Sequence, residues 1–143
     1  MSTLNPYLSF KDNAREAMEF YKEVFGGDLN VSTFGEYGGS DEAGAPPNDG
    51  VMHAQLTTPS GFTLMGADTP PGMEFIPGTN IAISLSGGPD EADELRGYWE
   101  KLSSDGTVGV ALEKQMWGDE FGMVVDKFGI GWMFNITATQ DAG

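Results

Sequence analysis

The chain has 143 residues, 39% of them hydrophobic, with 22 acidic against 7 basic side chains and a formal charge of −15, enough for one compact domain or two small modules sharing a core. That charge repels nucleic acid and anionic membrane surfaces, so neither is an expected partner, and the lack of cysteine excludes disulfides, thiolate metal sites and cysteine nucleophiles. No apolar run approaches the roughly 20 residues that span a bilayer, and the first residues lack the basic-then-apolar order of an export signal, so a cytoplasmic protein is expected.

Residues 4–10 alternate, with Leu4, Pro6, Leu8 and Phe10 on one face and Asn5, Tyr7 and Ser9 on the other, as a half-buried strand requires. Asp12 or Asn13 can cap the helix that follows, whose stripe is Ala14, Ala17, Met18, Tyr21, Val24 and Phe25. Gly26-Gly27 stops it. Strands are predicted at 29–34, 51–57 and 62–66, the last entered through the turn Pro59-Ser60-Gly61. The long connection 38–50 reads as a hairpin loop or a lid. The first module, about 1–68, is therefore βαβββ, and the Pro- and Gly-rich stretch 69–78 is a linker.

The order then repeats over about 79–138. Residues 80–86 form a strand with Ile81, Ile83 and Leu85 toward the core, and Pro89 suits the first helical turn. Ala92, Leu95, Trp99 and Leu102 form the second helical stripe, which Gly106 ends. Three strands follow at 108–112, 123–126 and 130–137, and the tail after 137 is expected to fray. The two halves share more than order. Gly61 matches Gly129 and Met65 matches Met133 at a separation of 68, whereas Asn5 and Asn80, like Ala17 and Ala92, lie 75 apart. Such internal repetition outranks any single motif.

Alternation on the third strand turns Met52, Ala54 and Leu56 toward the helix and Val51, His53, Gln55 and Thr57 away from it. The separation of 68 pairs His53 with Phe121 and Gln55 with Met123. His53, the only histidine, is the one side chain whose ordinary pKa lies near neutrality. It is a candidate general base, a hydrogen-bonding ligand contact or a structural histidine. Trp117, in a turn between Met116 and Gly118, is a ligand-closing aromatic, a lid or a dimer contact. The adjacent Asp119 and Glu120 point in different directions and make a poor acid and base pair.

Two βαβββ modules with a glycine turn before each last strand resemble the vicinal oxygen chelate superfamily of glyoxalases, bleomycin resistance proteins and extradiol dioxygenases. Asn5-Pro6-Tyr7-Leu8-Ser9-Phe10, the run from Ala17 to Gly27, Met52-His53-Ala54 and the run from Gln115 to Gly122 are similar to its PhnB-like branch. The resemblance implies an α+β fold over a single domain, 1–143, in which the curved mixed sheets form a cup with helices on the convex face. It also implies a homodimer, which the open sheet edges favour as well. Family metal ligands carry over to Asn5, Met65, Asn80 and Met133, a set of amides and thioethers unsuited to Zn²⁺, Fe²⁺ or Mn²⁺, so no metal and no cofactor is expected. Methyltransferases named among similar chains bind their cofactor on a Gly-rich loop that opens a helix, and no such loop stands here.

The expected concave lining is mixed polar and thioether: Tyr7, His53, Gln55, Met65, Trp117, Phe121 and Met133 are the candidate ligand contacts, with His53 the one candidate for catalysis. The leading expectation is a metal-independent small-molecule binding protein of sequestering or resistance type. The alternative is a glyoxalase- or dioxygenase-class enzyme using His53 or an unrecognised metal site.

Overall fold

A computed structural model describes residues 2–38 and 47–138. Most of the predicted loop at 38–50 and all but one residue of the predicted tail lie outside these. The chain divides into two compact units, Met1–Ile76 and Pro77–Gly143, with the boundary inside the predicted linker.

In the first unit, β1 (Tyr7–Phe10) leads into α1 (Ala14–Phe25), followed by β2 (Asp28–Thr33), a 3-10 turn at Gly35–Tyr37, β3 (Val51–Thr57) and β4 (Thr63–Asp68). The sheet order is β1-β4-β3-β2, parallel between β1 and β4 and antiparallel elsewhere. The second unit repeats this with β5 (Ile83–Gly87), a 3-10 turn at Pro89–Glu91, α2 (Ala92–Ser103), β6 (Thr107–Lys114), β7 (Glu120–Val125) and β8 (Gly131–Ile136), in the order β5-β8-β7-β6. Among the described residues each unit is thus a four-stranded mixed sheet with one α-helix, the α+β architecture expected.

Each helix forms where its apolar stripe can bury. All six predicted stripe residues of α1 are buried, and Phe20 joins them. On α2, Ala92, Leu95 and Leu102 are buried with Tyr98, which the stripe did not include, while Trp99 is half-buried and stacks edge-on against Phe134 at 5.3 Å. The facing strand residues are small where the helix is bulky: a Cβ on Gly66 would lie 3.1 Å from Met18 Sδ, and one on Gly122 2.8 Å from the Trp99 ring.

Four expectations need correction. The first strand starts at Tyr7, and Leu4 is 99% exposed. Pairing begins where the Pro6 carbonyl accepts from the Met65 N–H; proline has no N–H to extend the ladder upstream. In the second unit the strand likewise starts at Ile83, opposite Trp132, and leaves Ile81 82% exposed. Val51 is buried rather than turned away from the helix. The pairing jumps from Ser32–His53 to Thr33–Val51, so Met52 is a bulge that reverses the alternation beyond it. Finally, Asn13 precedes α1 without a side-chain cap. The Ala14 N–H instead donates to Asp68 Oδ1 at 2.9 Å, and the other carboxylate oxygen accepts from the Val51 N–H at 2.8 Å.

Candidate functional site

Cross-strand neighbours point to the same side of a sheet. In the first unit one row runs Tyr7, Met65, Gln55, Asn30, and the next brings His53 opposite Ser32. The alternate residues Leu56, Leu64, Ala54 and Gly66 face α1, so these rows lie on the sheet face away from the helix. Tyr7 is 53% exposed there, and His53, Gln55 and Met65 are half-buried. The Tyr7 hydroxyl lies 3.4 Å from His53 Nδ1, with the rings 5.8 Å apart and tilted by 35°. The phenol can donate to this nitrogen when the ring proton is on Nε2. Four predicted contacts, Tyr7, His53, Gln55 and Met65, therefore share one face. Asn30 and Ser32 share it too; the alternation Asp28, Asn30, Ser32 against Leu29 and Val31 was the available signal for them.

The second unit presents a different surface at the corresponding place. Its rows are Ser84, Met133, Met123, Val110 and Ser86, Asn135, Phe121, Glu113. Trp132, Phe134 and Val124 alternate to the buried side. Trp117 stands in the β6–β7 turn, 62% exposed, its ring 6.3 Å from that of Phe121. The turn is fixed: the Gln115 N–H donates to the Asp119 carbonyl and the Gly118 N–H to that of Gln115, with Gly118 at φ 101° where a side chain would be strained. The Gln115 amide also donates to the Glu113 and Phe121 carbonyls. Trp117, Phe121 and Met133 thus belong to one unit and Tyr7, His53, Gln55 and Met65 to the other.

Glu113, at the end of the Phe121 row, is exposed, whereas the two carboxylates that follow the β6–β7 turn are engaged. Asp119 accepts from the Asn135 amide and the Ala138 N–H at 3.3 and 3.0 Å. Glu120 receives both Nε and Nη2 of Arg96 at 3.1 and 2.8 Å, and this hydrogen bonding, then the Glu120 charge, raises the guanidinium pKa.

The repeat arithmetic for the family metal positions shifts. Tyr7, not Asn5, lies beside Met65, and Ser84, not Asn80, beside Met133. Asn5 precedes the strand and donates its amide to Thr3. The first strands are offset by 77 rather than 75, while the strand pairs β3–β4 and β7–β8 keep the offset of 68: Gln55 faces Met65 as Met123 faces Met133. The donors flanking these positions are phenol, amide and thioether with the single imidazole of His53 in one unit, and hydroxyl and two thioethers in the other; one imidazole without a carboxylate is a poor set for a hard or borderline divalent metal. Among the described residues no three His, Asp or Glu side chains converge.

The sequence pattern of the family described as 3-demethylubiquinone-9 3-methyltransferase matches residues 2–135. The crystal structure of protein PA1353 from Pseudomonas aeruginosa is 33% identical, with a TM-score of 0.80 over 96% of this chain and 99% of that one. A putative 3-demethylubiquinone-9 3-methyltransferase, the PhnB protein from Bacillus cereus, is 24% identical, with a TM-score of 0.72 over 95% of this chain and 100% of that one. A glyoxylase/bleomycin resistance protein/dioxygenase domain from Frankia sp. EAN1pec shares the fold at 12% identity, with a TM-score of 0.66 over 99% and 95% of the two chains.

Proposed function

We propose that this chain, which belongs to the 3-demethylubiquinone-9 3-methyltransferase family and to the PhnB-like branch of the glyoxalase/bleomycin resistance/dioxygenase superfamily, is a metal-independent small-molecule binding protein of sequestering or resistance type. The observation that carries this reading is the helix-free face of the first unit, where Tyr7, His53, Gln55 and Met65 lie together, partly exposed, with the Tyr7 hydroxyl against the His53 ring. Such a face offers hydrogen bonds that fix orientation beside polarisable apolar surface. In the second unit, Trp117, Phe121 and Met133 supply aromatic and thioether contacts of the same kind. The methyl transfer in the family's description finds no support in the helix entries: neither Lys11-Asp12-Asn13 nor Gly88-Pro89 is a Gly-rich loop opening a helix after a strand. The chain works in the cytoplasm as a homodimer; no described helix is long and apolar enough to cross a membrane, and sedimentation at micromolar concentration tests the dimer.

His53 is the test of the site. For a compound found to bind by calorimetry, His53→Gln lowers affinity about tenfold, roughly 1.4 kcal/mol, with little change in melting temperature. An unaltered affinity per folded molecule would leave His53 a structural residue. Added Zn²⁺ or Mn²⁺ leaves the affinity unchanged; stoichiometric retention of either on these side chains would contradict metal independence. The Tyr7–His53 contact favours one second reading, an enzyme of the glyoxalase or dioxygenase class in which Nδ1–H donates to the Tyr7 hydroxyl oxygen and leaves His53 Nε2 free as the general base. That reading predicts turnover abolished in His53→Gln with substrate binding intact.

A further inference from the structure

We propose that the helix-free face of the second unit recognises lipophilic organic cations, a ligand class that deepens, and rests on, the small-molecule reading above. The face is built from π-surface and thioether: Phe121 with Trp117 at 6.3 Å, and Met123 directly opposite Met133, Met123 being 38% exposed. Aromatic faces and soft sulfur attract a large, weakly hydrated cation more strongly than an anion of the same size.

Charge falls on the same side of the question. Glu113 is the cross-strand neighbour of Phe121 and is exposed, and Asp119, two residues before Phe121, reaches the same row by its hydrogen bond from the Asn135 amide. Among the described residues of this unit, no lysine or arginine pairs with them. Of the cations in this unit, Arg96 and Lys101 are on α2. Lys114 lies in the row of Glu120, whose carboxylate turns to Arg96, and Lys127 is in the β7–β8 turn with its ammonium 5.7 Å from the Phe128 ring. An anionic ligand would meet two carboxylates with no counter-charge, inside a field set by a net charge of −15. A permanently charged aromatic ammonium would meet aromatic faces, thioethers and negative charge together. Trp117 supplies the stacking plane on a turn whose backbone is already ordered, so binding orders its ring alone.

Three probes with one aromatic body separate the terms: naphthylmethyltrimethylammonium, naphthalenemethanol and naphthalenesulfonate, measured by equilibrium dialysis against the full chain. The ammonium binds about tenfold or more tighter than the sulfonate at low salt, and the gap narrows as salt is raised. Glu113→Gln narrows it by about threefold and leaves the alcohol unchanged. Trp117→Ala weakens ammonium and alcohol together by about tenfold, with the melting temperature unaltered. Sulfonate binding as tight as the ammonium overturns the cation preference while leaving small-molecule binding intact. Ammonium affinity indifferent to both substitutions overturns the location. Failure of all three probes to bind at millimolar concentration overturns this inference, while the small-molecule reading, carried by the first unit's face, stands or falls by its own His53→Gln test.

Discussion

The two units close the same turn with different chemistry. In the first, the Thr58 N–H donates to the Phe62 carbonyl and the Gly61 N–H to that of Thr58, with Gly61 at φ 88°; in the second, Asp126, Ile130 and Gly129 repeat both bonds, with Gly129 at φ 87°. The side chains at the turn's start diverge. The Thr58 hydroxyl accepts one N–H, from Phe62, whereas the Asp126 carboxylate accepts from the Phe128 and Ile130 N–H groups and from the Trp132 indole. At the far end of the last strand the roles reverse. Asp68 is buried and ties α1 to β3, while its counterpart Ile136 is simply apolar and buried. The repeat therefore conserves backbone geometry, and each half solves the pairing of its buried polar groups separately. Buried donors must be paired somewhere, but nothing requires the same partner twice.

The comparison is sharpest at the buried carboxylates. Asp68→Ala leaves the Ala14 and Val51 N–H groups buried without an acceptor, at about 1–3 kcal/mol each, so urea unfolding should show a loss of roughly 2–6 kcal/mol. A loss below about 0.5 kcal/mol, within the range of a surface change, would mean that the carboxylate does not organise the first unit. Asp126→Ala is expected to cost a similar amount, because three donors lose their partner there.

Leu95→Ala probes the packing of α2, whose fourth residue is Leu95 where the fourth residue of α1 is Ala17. Leu95 is 4% exposed and its Cδ1 would touch a Cβ on Gly87, so truncation should cost about 3 kcal/mol and lower the melting midpoint. An unshifted midpoint would show that α2 is not held by this residue. Thr58→Ala should cost only about 1 kcal/mol by the same measurement, since one neutral hydrogen bond is removed; a loss equal to that of Asp126→Ala would erase the asymmetry between the turns. Smallest of all, His53→Gln should change stability by less than about 0.5 kcal/mol, because the half-buried ring contacts an exposed phenol rather than the core.

Much of this was legible in the chain. β3 was predicted at its observed bounds, and the α1 stripe was buried throughout, because both depend on a local period that a core must respect. The grouping of Tyr7, Gln55 and Met65 was legible for the same reason: strand alternation and the repeat offset agree there. Val51 was not, because a bulge at Met52 is invisible to alternation. Nor was the role of Asp68, which lies 54 residues from the Ala14 N–H it accepts, beyond the reach of any local capping rule. Trp99 and Tyr98 divided the inner face of α2 in a way that only the opening above Gly122 and the Phe134 ring could decide.

By itself the sequence determined the two-fold repetition of βαβββ, the glycine turns and the strand faces wherever no bulge intervenes, since these follow from steric limits on φ and from side-chain period. Tertiary structure alone decided where pairing starts, at the Pro6 carbonyl and at Ile83, and hence that Tyr7 and Ser84 rather than the asparagines flank Met65 and Met133. Register is fixed by the partner strand, and a partner dozens of residues away leaves no local mark on the chain it pairs with.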